Sequence, residues 1–204
     1  LSLVGSEMCI RDRLNLALGE AAAVASLGGA IYEQSPATRI DRGPQPVVHT
    51  PNGQVKAKFV VVAGNAYLGG LMPELAAKSM PCGTQVLTTE PLSDELAHSL
   101  LPQDYCVEDC NYLLDYYRLS ADKRLIYGGG VVYGARDPAD IEAIIRPKLL
   151  KTFPQLKDVK IDYTWTGNFL LTLSRLPQVG RIGDNIYYSQ GLSLIHISEP
   201  TRLR

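Results

Sequence analysis

The stretch KFVVVAGNAYLGG, residues 58–70, decides the fold class of this chain. Residues 59–62 form a continuous, mostly β-branched apolar run, which is typical of a strand that is buried on both faces in a parallel sheet. Ala63 and Gly64 follow at once, and their lack of bulk lets the backbone pass close to a large neighbour. Because open α/β sheets bind ligands at the carboxyl ends of their strands, we predict a ligand-binding turn here. A plain tight turn after a buried strand is the alternative.

The residues before this stretch also favour an α/β fold. Residues 14–27 predict a helix rich in alanine and leucine, closed by Gly28 and Gly29, and residues 30–34 predict a short strand. The order helix, Gly-Gly, strand is the second half of a βαβ unit. The sequence then predicts a small antiparallel excursion, with strands at residues 38–41 and 47–50 and a turn at Pro51-Asn52-Gly53.

Beyond Met80 the pattern changes to a mostly antiparallel sheet with helices on it. Ser93 is placed to cap a short helix, and Asp137 to open an amphipathic helix over residues 139–153. Strands are predicted at residues 83–90, 112–119, 124–128, 159–165 and 186–189, with a turn at 176–180. The glycines at 128–130 follow a strand but open no helix, so we interpret them as a bend rather than a phosphate-binding loop.

The composition excludes several function classes. With 204 residues, 46% hydrophobic and 20% charged, the chain has the make-up of one globular domain or parts of two. A formal net charge of −1 gives no basic footprint for nucleic acid or an anionic membrane, and no apolar run reaches the roughly 18 residues of a membrane-spanning helix. The scattered cysteines favour a reducing, cytoplasmic setting. Cys106 and Cys110 form C-x3-C without further ligands nearby, so we expect no metal site, with zinc as the alternative.

Both ends of the sequence look foreign to the fold. Residues 3–12 and 192–201 can be encoded by the two complementary strands of one stretch of DNA, which resembles a transposase-type sequencing adapter. Because two ends of one protein have no physical reason to share such coding, we set residues 1–13 and 192–204 aside. We expect residues 14–191 to be an internal fragment of a longer protein.

A family resemblance is carried by the order of several motifs. After the helix, Gly-Gly and strand come FVVVAGNAY, TQVLTTEPL, DYYRLS, RLIYGGG, SRLPQVG and IYYSQG. This order resembles the D-amino-acid-oxidase-like superfamily of FAD-dependent oxidoreductases, and NAYL, TTEPL and LDYYRLSAD are similar to its branch that oxidises gamma-glutamylputrescine. The resemblance implies an α/β plus α+β architecture. An incomplete FAD-binding domain of Rossmann type, residues 14–80 and 167–191, would hold an inserted, mostly antiparallel substrate domain, residues 81–166.

The resemblance also implies the chemistry. Family enzymes move a hydride from the carbon beside an amine nitrogen to FAD, the imine hydrolyses, and the reduced flavin passes its electrons to oxygen. The implied substrate is a primary amine such as gamma-glutamylputrescine. The alternatives are a secondary amine or amino acid of the sarcosine or glycine type, and a non-catalytic, β-rich binding module. The family's G-x-G-x-x-G phosphate loop and G-H-G turn have no counterpart in the sequence, so we expect this chain alone to bind no FAD and to be inactive.

The resemblance assigns three segments to FAD. They are Ala63 and Gly64 near the nucleotide, Ala37 and Thr38 near the adenine, and Gly180 and Arg181 near the isoalloxazine. For each segment, ordinary turn or strand geometry is the alternative. Some relatives tether the flavin through a cysteine near residues 168–172. Because no cysteine follows Cys110, we expect FAD to be held noncovalently.

The substrate contacts are predicted among tyrosines. Hydride transfer asks for close approach and exclusion of water, which an aromatic-walled pocket supplies while also holding a cation. Tyr116 and Tyr117 fall on opposite faces of one predicted strand, and we predict that one of them borders the substrate, with core packing as the alternative. Asp115 or Glu90 could bind the amine, although a solvated carboxylate is the plainer interpretation. Both native histidines are predicted on the surface, so no His-based triad is expected and the catalytic residues stay unassigned.

Overall fold

The computed structural model describes residues 13–111 and 113–192, without the side chains of residues 13 and 14. This part of the chain contains the helices α1 (Arg13–Ser26), α2 (Pro73–Ala76), α3 (Asp94–Leu100) and α4 (Ile141–Thr152), and short 3-10 turns at Asn65–Tyr67 and Pro154–Leu156. Its strands are β1 (Arg39–Asp41), β2 (Val47–Thr50), β3 (Gly53–Lys56), β4 (Val60–Val62), β5 (Ser79–Thr89), β6 (Val107–Glu108), β7 (Tyr116–Leu119), β8 (Leu125–Tyr133), β9 (Ile161–Thr172), β10 (Gln178–Ile182) and β11 (Ile186–Gln190).

Two compact units make up the described residues. The inserted unit is Cys82–Asn168, with which residues 13–16 are grouped, and the flanking unit comprises Ala17–Pro81 together with residues 169–192. β5 and β9 run across the two junctions. The functional names predicted for these segments, FAD-binding domain and substrate domain, stay predictions.

The inserted unit is built on a five-stranded sheet with the strand order β6-β7-β8-β5-β9. β6 pairs with β7, β7 with β8, and β8 with β5, all antiparallel, as the sequence predicts. One face of this sheet carries the core of the unit, to which Ile145 and Leu149 of α4 belong. The core is a cluster of thirteen buried residues: Leu87, Leu92, Ala97, Leu100, Leu101, Val107, Leu119, Leu125, Tyr127, Ile145, Leu149, Phe153 and Leu156.

The strand register sorts the side chains of this sheet onto two faces. Directly opposed residues share a face, and neighbours along a strand alternate. Tyr117 and Tyr127 lie opposite each other on the core face. Tyr116, Gly128 and Val86 form the next row, on the opposite face, and none of the three belongs to the core cluster. This opposite face, here named the Tyr116 face, carries Thr84, Val86, Thr88, Tyr116, Arg118, Ile126 and Gly128.

The flanking unit contains two separate three-stranded sheets. β1, β2 and β3 form an antiparallel meander. In the second sheet, of order β10-β11-β4, β11 runs parallel to β4 and antiparallel to β10. The parallel pairing that we predicted for residues 59–62 is therefore confirmed. The core of this unit is smaller and consists of Val62, Leu68, Met72, Leu75 and Ile186.

The predicted burial of residues 59–62 is wrong. Val62 of β4 is buried in the core, but Val61 is 69% exposed and Phe59 is exposed as well. Within residues 13–111 and 113–192, β4 pairs with β11 alone. A β-branched run thus predicts a strand, but its burial depends on neighbours that lie elsewhere in the sequence.

Three further predictions of secondary structure need correction. Residues 30–34 form no strand, because they have no ladder partner in the described chain. Residues 178–180, which we predicted to lie in a turn, begin β10, because they pair with β11. α4 is capped by Asp140 rather than opened at Asp137, since the Asp140 carboxylate accepts a backbone N–H of the first turn.

Candidate functional site

The carboxyl ends of the parallel strands β4 and β11 are tied together in the flanking unit. Asn65, in the turn after β4, accepts the backbone N–H of Gly191 through its Oδ1 at 2.9 Å. Gly191 follows β11 directly and has φ +73°, a conformation that favours glycine. This link fixes two strand ends side by side where open α/β sheets hold ligands. The small residues after the apolar run indicated Ala63 and Gly64. They gave no indication of the hydrogen bond between Asn65 and Gly191, because these two residues lie far apart in the sequence.

The turn after β4 leaves its backbone open on one side. Ala63 and Gly64 are both exposed. The φ of Gly64 is −73°, so its conformation does not demand glycine. A Cβ at this position would lie 3.3 Å from the Cα of Leu68, so the missing side chain also serves the packing of the turn itself. Apart from the methyl group of Ala63, no side chain of these two residues covers the exposed backbone.

Gly180 and Arg181 lie in the same sheet as the end of β4. Gly180 stands opposite Tyr188, and a Cβ on it would lie 2.6 Å from the Tyr188 Oη, so the tyrosine occupies the space that the glycine leaves. Arg181 stands opposite Tyr187 and is exposed. Tyr188 in turn pairs with Val62. The structure therefore brings the Gly180 segment and the β4 turn into one sheet, two strands apart.

Ala37 and Thr38 lie next to the other sheet of the flanking unit, just before its first strand. Both are exposed and precede β1 directly. Thr38 is tied to the meander, because its N–H donates to the carbonyl of His49 at 2.8 Å. In the described residues no hydrogen bond joins this segment to Ala63 or Gly64. Its contact with the adenine stays a prediction.

The side chain of His49 contacts neighbouring polar side chains, and these contacts explain its presence without a catalytic role. Its Nε2 lies 2.7 Å from the Oδ2 of Asp41 and 3.1 Å from the Nη2 of Arg39. The hydrogen bond with His49, and after it the Arg39 guanidinium, lowers the pKa of the Asp41 carboxyl. The three side chains form one surface network on the meander.

Tyr116 is held flat on the Tyr116 face. Its ring covers Gly128, where a Cβ would overlap the ring carbons, and its hydroxyl shares a hydrogen bond of 3.0 Å with Thr84 Oγ1. On the core face, Gly129 leaves room for the carboxylate of Asp115 in the same way. The predicted bend between strands is therefore wrong, because residues 128–130 lie inside β8. Gly128 and Gly129 make room for the side chains of Tyr116 and Asp115, whereas Gly130, at φ +75°, lies next to the side chain of Gln85. The sequence signal for this arrangement is a Gly-Gly pair within a predicted strand, next to another predicted strand that carries bulky side chains.

Tyr117 packs into the core of the inserted unit. Its ring stacks on Tyr127 with centroids 5.4 Å apart and meets Phe153 edge-on at 5.0 Å. Burial, and to a lesser extent the charge of Asp109, raises the pKa of Tyr117. Of the two tyrosines predicted to border the substrate, Tyr116 is therefore the one on the face opposite the core.

The two carboxylates that we considered for amine binding have protein partners. Asp115 accepts a hydrogen bond from Lys148 Nζ at 2.9 Å and its side chain is mostly buried. Glu90 accepts the backbone N–H of Lys160 at 3.1 Å. Each of these contacts supports the structural interpretation of the carboxylate.

Other kinds of site find little support in the described residues. No group of three or more His, Cys, Asp and Glu side chains gathers there as a metal site would require. Neither Cys106 nor Cys110 forms a disulfide bond. Among the helices that the structure describes, none has the length and apolarity needed to cross a membrane.

Comparison with known proteins identifies the family. The family description "DAO: FAD dependent oxidoreductase" matches residues 3–194. That match reaches into both terminal segments that we set aside, so their exclusion stays a prediction. The chain is 69% identical over 181 residues to gamma-glutamylputrescine oxidoreductase of Escherichia coli, covering 88% of the chain and 42% of the relative. It is 40% identical to the probable oxidoreductase OrdL of Haemophilus influenzae, again over 88% of the chain and 42% of the relative.

Solved structures show the same fold. The chain is similar to L-proline dehydrogenase from P. horikoshii, with a TM-score of 0.74 and 21% identity over 88% of this chain and 50% of that one. It is similar to glycine oxidase from Geobacillus kaustophilus, with a TM-score of 0.69 and 20% identity over 87% and 48%. The chain spans less than half the length of the curated relatives above. It belongs to the DAO family of FAD-dependent oxidoreductases.

Proposed function

We propose that this chain is the central part of a cytoplasmic FAD-dependent amine oxidase that acts on gamma-glutamylputrescine in putrescine breakdown. The observation that carries the proposal is the 69% identity to gamma-glutamylputrescine oxidoreductase over 88% of the chain. The hydride donor would be the carbon beside the primary amine, and oxygen would be the final electron acceptor. Noncovalent FAD, when bound, would supply the hydride-accepting ring.

The flanking unit offers the residues that would hold FAD. Ala63 and Gly64 present an exposed backbone at the carboxyl end of β4, and the bond from Gly191 to Asn65 fixes the neighbouring strand end. A backbone free of bulky side chains supports close approach of a nucleotide. The segments at Ala37 and Thr38 and at Gly180 and Arg181 are proposed to contact the adenine and the isoalloxazine side, respectively.

The inserted unit offers a surface for the substrate. Tyr116 is fixed in one orientation by Gly128 beneath its ring and by Thr84 at its hydroxyl. An aromatic ring held in one orientation would exclude water from the reacting carbon. Its π electrons would also attract an amine placed above the ring. Tyr117 would support this surface from the core side of the same strand.

The activity is tested on the full-length protein, produced from the complete gene. Oxygen uptake and hydrogen peroxide are measured with gamma-glutamylputrescine, putrescine, glycine and sarcosine. We expect the highest kcat/KM with gamma-glutamylputrescine. A preference for glycine or sarcosine would instead support the alternative of an amino-acid or secondary-amine oxidase. Full-length protein without flavin would support a binding module.

The 204-residue chain by itself is the matched control. Its sequence contains no G-x-G-x-x-G loop to place a pyrophosphate at a helix N-terminus. We therefore expect the purified chain to carry no stoichiometric flavin and to consume no oxygen with any of these amines. Flavin absorbance near one equivalent per chain would contradict this.

The role of Tyr116 is tested by replacing it in the full-length enzyme. Tyr116→Ala removes the aromatic surface, and we expect the KM for the amine to rise about tenfold, the size of a lost desolvated cation–π contact and its packing. Tyr133→Ala is the control, because Tyr133 is exposed at the end of the same sheet. An equal effect of the two replacements would contradict the proposed substrate surface.

A further inference from the structure

Two consecutive side chains at the start of β7 are seated on consecutive glycines of β8. Tyr116 covers Gly128, and Asp115 covers Gly129, and at both glycines a Cβ would overlap the side chain above it. Because neighbours along a strand alternate, the ring lies on the Tyr116 face and the carboxylate on the core face. The start of β7 is therefore fitted to β8 from both sides of the sheet at one point.

The carboxylate of Asp115 forms an ion pair with α4. The Nζ of Lys148 donates to the Oδ1 of Asp115 at 2.9 Å. The Asp115 side chain is 15% exposed and the Lys148 side chain 33%. Removing one partner of such a shielded pair leaves the other charge uncompensated, which costs more than breaking an exposed pair. Lys148 also precedes Leu149, which is buried in the core, so the ammonium group is carried by a helix that is fixed in place.

The backbone of Asp115 is anchored as well. Its carbonyl accepts the N–H of Asp109 at 3.0 Å, and its own N–H donates to the Oδ1 of Asp109 at 3.2 Å. Tyr116 follows directly, and its hydroxyl shares a hydrogen bond with Thr84 at the far end of the ring. Only one peptide bond separates the anchored Asp115 from Tyr116, and peptide bonds are planar and stiff. A shift of Asp115 therefore displaces the ring of Tyr116 from Gly128.

We propose that Asp115 and Lys148 are positioning residues that hold the ring of Tyr116 in place over Gly128. The ion pair acts on the core face, and its effect falls on the opposite face, where Tyr116 lies. The carboxylate of Asp115 thereby orients the proposed substrate surface instead of binding the amine itself. The relevance for catalysis rests on the proposed function, in which Tyr116 borders the amine. The effect on the ring does not depend on that function.

Fluorine NMR of the 204-residue chain tests the orientation of Tyr116 without flavin or substrate. The tyrosines are replaced by meta-fluorotyrosine, and the signal of Tyr116 is identified by its loss in Tyr116→Phe. Lys148→Met removes the ammonium group but keeps an unbranched apolar side chain. We expect the Tyr116 signal to move towards the position of free meta-fluorotyrosine in Lys148→Met and in Asp115→Asn, because the ring leaves its place over Gly128. A Tyr116 signal that stays in place in both folded variants would overturn the proposal.

Lys157→Met is the matched control. Lys157 pairs with Asp158 at 3.9 Å in the same unit, but both side chains are exposed, so the Tyr116 signal should not move. An equal movement in this control would count against the proposal. If the single replacements at Asp115 and Lys148 do not fold, the double variant Asp115→Asn with Lys148→Met decides, because it leaves no uncompensated charge. An unmoved Tyr116 signal in the double variant would equally overturn the proposal.

Kinetics of the full-length enzyme connect the ion pair to the substrate. Lys148→Met should raise the KM for the amine about three- to fivefold while kcat changes by less than about twofold, because binding is affected and the reacting atoms are not. In a Tyr116→Ala background the same replacement should change KM no further, since it acts through Tyr116. An additional, independent rise in KM there would contradict the proposal. A displaced Tyr116 signal in a protein that oxidises no amine would sustain this inference and contradict the proposed function.

Discussion

Both units of this chain contain apolar strands, but the side chains of these strands are buried to different extents. In the inserted unit, thirteen buried residues close a core between one sheet face and the helices. In the flanking unit only five residues form the core, while Phe59, Val61 and Val179 remain exposed on or beside the strands. The difference shows that strand formation follows from local sequence, whereas burial requires a covering layer. We infer that stability resides mainly in the inserted unit and that the proposed nucleotide edge lies in the less stable one.

The largest effect should come from matched leucine truncations in the two units. Leu125 is 0% exposed in the inserted core, and Leu173 is 81% exposed in the flanking unit. Leu125→Ala should lower the free energy of unfolding by about 2–5 kcal/mol, through lost burial and a cavity, and Leu173→Ala by less than about 0.5 kcal/mol. Urea unfolding of the 204-residue chain measures both. Equal losses of unfolding free energy in the two variants would contradict the inferred difference in stability between the two units.

Glycines beneath tyrosine rings give the next test, because both units contain one. Gly128→Ala would push against the ring carbons of Tyr116, whose hydroxyl is anchored to Thr84. We expect a loss of about 1–3 kcal/mol, typical of overpacking. Gly180→Ala meets Tyr188 first at its hydroxyl end and should cost less.

Gly167→Ala is the control for these two replacements, since the nearest atom to its added methyl group is 4.0 Å away. We expect little change in the urea midpoint for this variant. If it were as destabilising as Gly128→Ala, the close fit of Tyr116 on Gly128 would not be the cause.

The inserted unit should also lose stability at alkaline pH. Burial raises the pKa of Tyr127 to about 12 from an ordinary 10.0. Because the folded state favours the neutral phenol, this contribution is complete below pH 10 and is lost as the pH rises through about 12. Tyr127→Phe should flatten that decline and, by removing the hydrogen bond with Thr152, cost about 0.5–1.5 kcal/mol at neutral pH. Urea midpoints at neutral pH and near pH 11 measure both effects, with Tyr187→Phe in the flanking unit as the control.

The smallest effect concerns the link between the β4 and β11 ends. Asn65→Ala removes the acceptor of the Gly191 N–H and should cost at most about 1 kcal/mol. Asn65→Asp keeps an acceptor and should cost less. Hydrogen exchange of the Gly191 amide should speed up in the alanine variant only. Unchanged protection there would show that the bond does not hold the strand ends.

Short-range sequence signals predicted the helices and strands, whereas contacts between residues far apart in the sequence determined which side chains are buried and which strands pair. Ser93 caps α3 as predicted, its hydroxyl accepting the Leu96 N–H at 3.2 Å, because a cap needs only residues three positions apart. The order of motifs likewise predicted the FAD-dependent fold and the family. Gly128 could not be interpreted alone, because its lack of a side chain is explained by Tyr116 in another strand. The sequence could not place Arg118, Ile126 and Thr88 side by side for the same reason, since only the strand register shows that they are opposed.

The parallel pairing of β4 with β11 has a consequence for synthesis on the ribosome. Asn65 and Gly191 are separated by 126 positions, and the whole inserted unit is made between them. At about 5–20 residues per second, the nascent β4 waits on the order of ten seconds for its partner strand. The inserted unit has time to fold first. During that wait β4 and its apolar residues would be open to chaperones, so the rate of translation, rather than the final stability, would govern the yield of correctly paired chains.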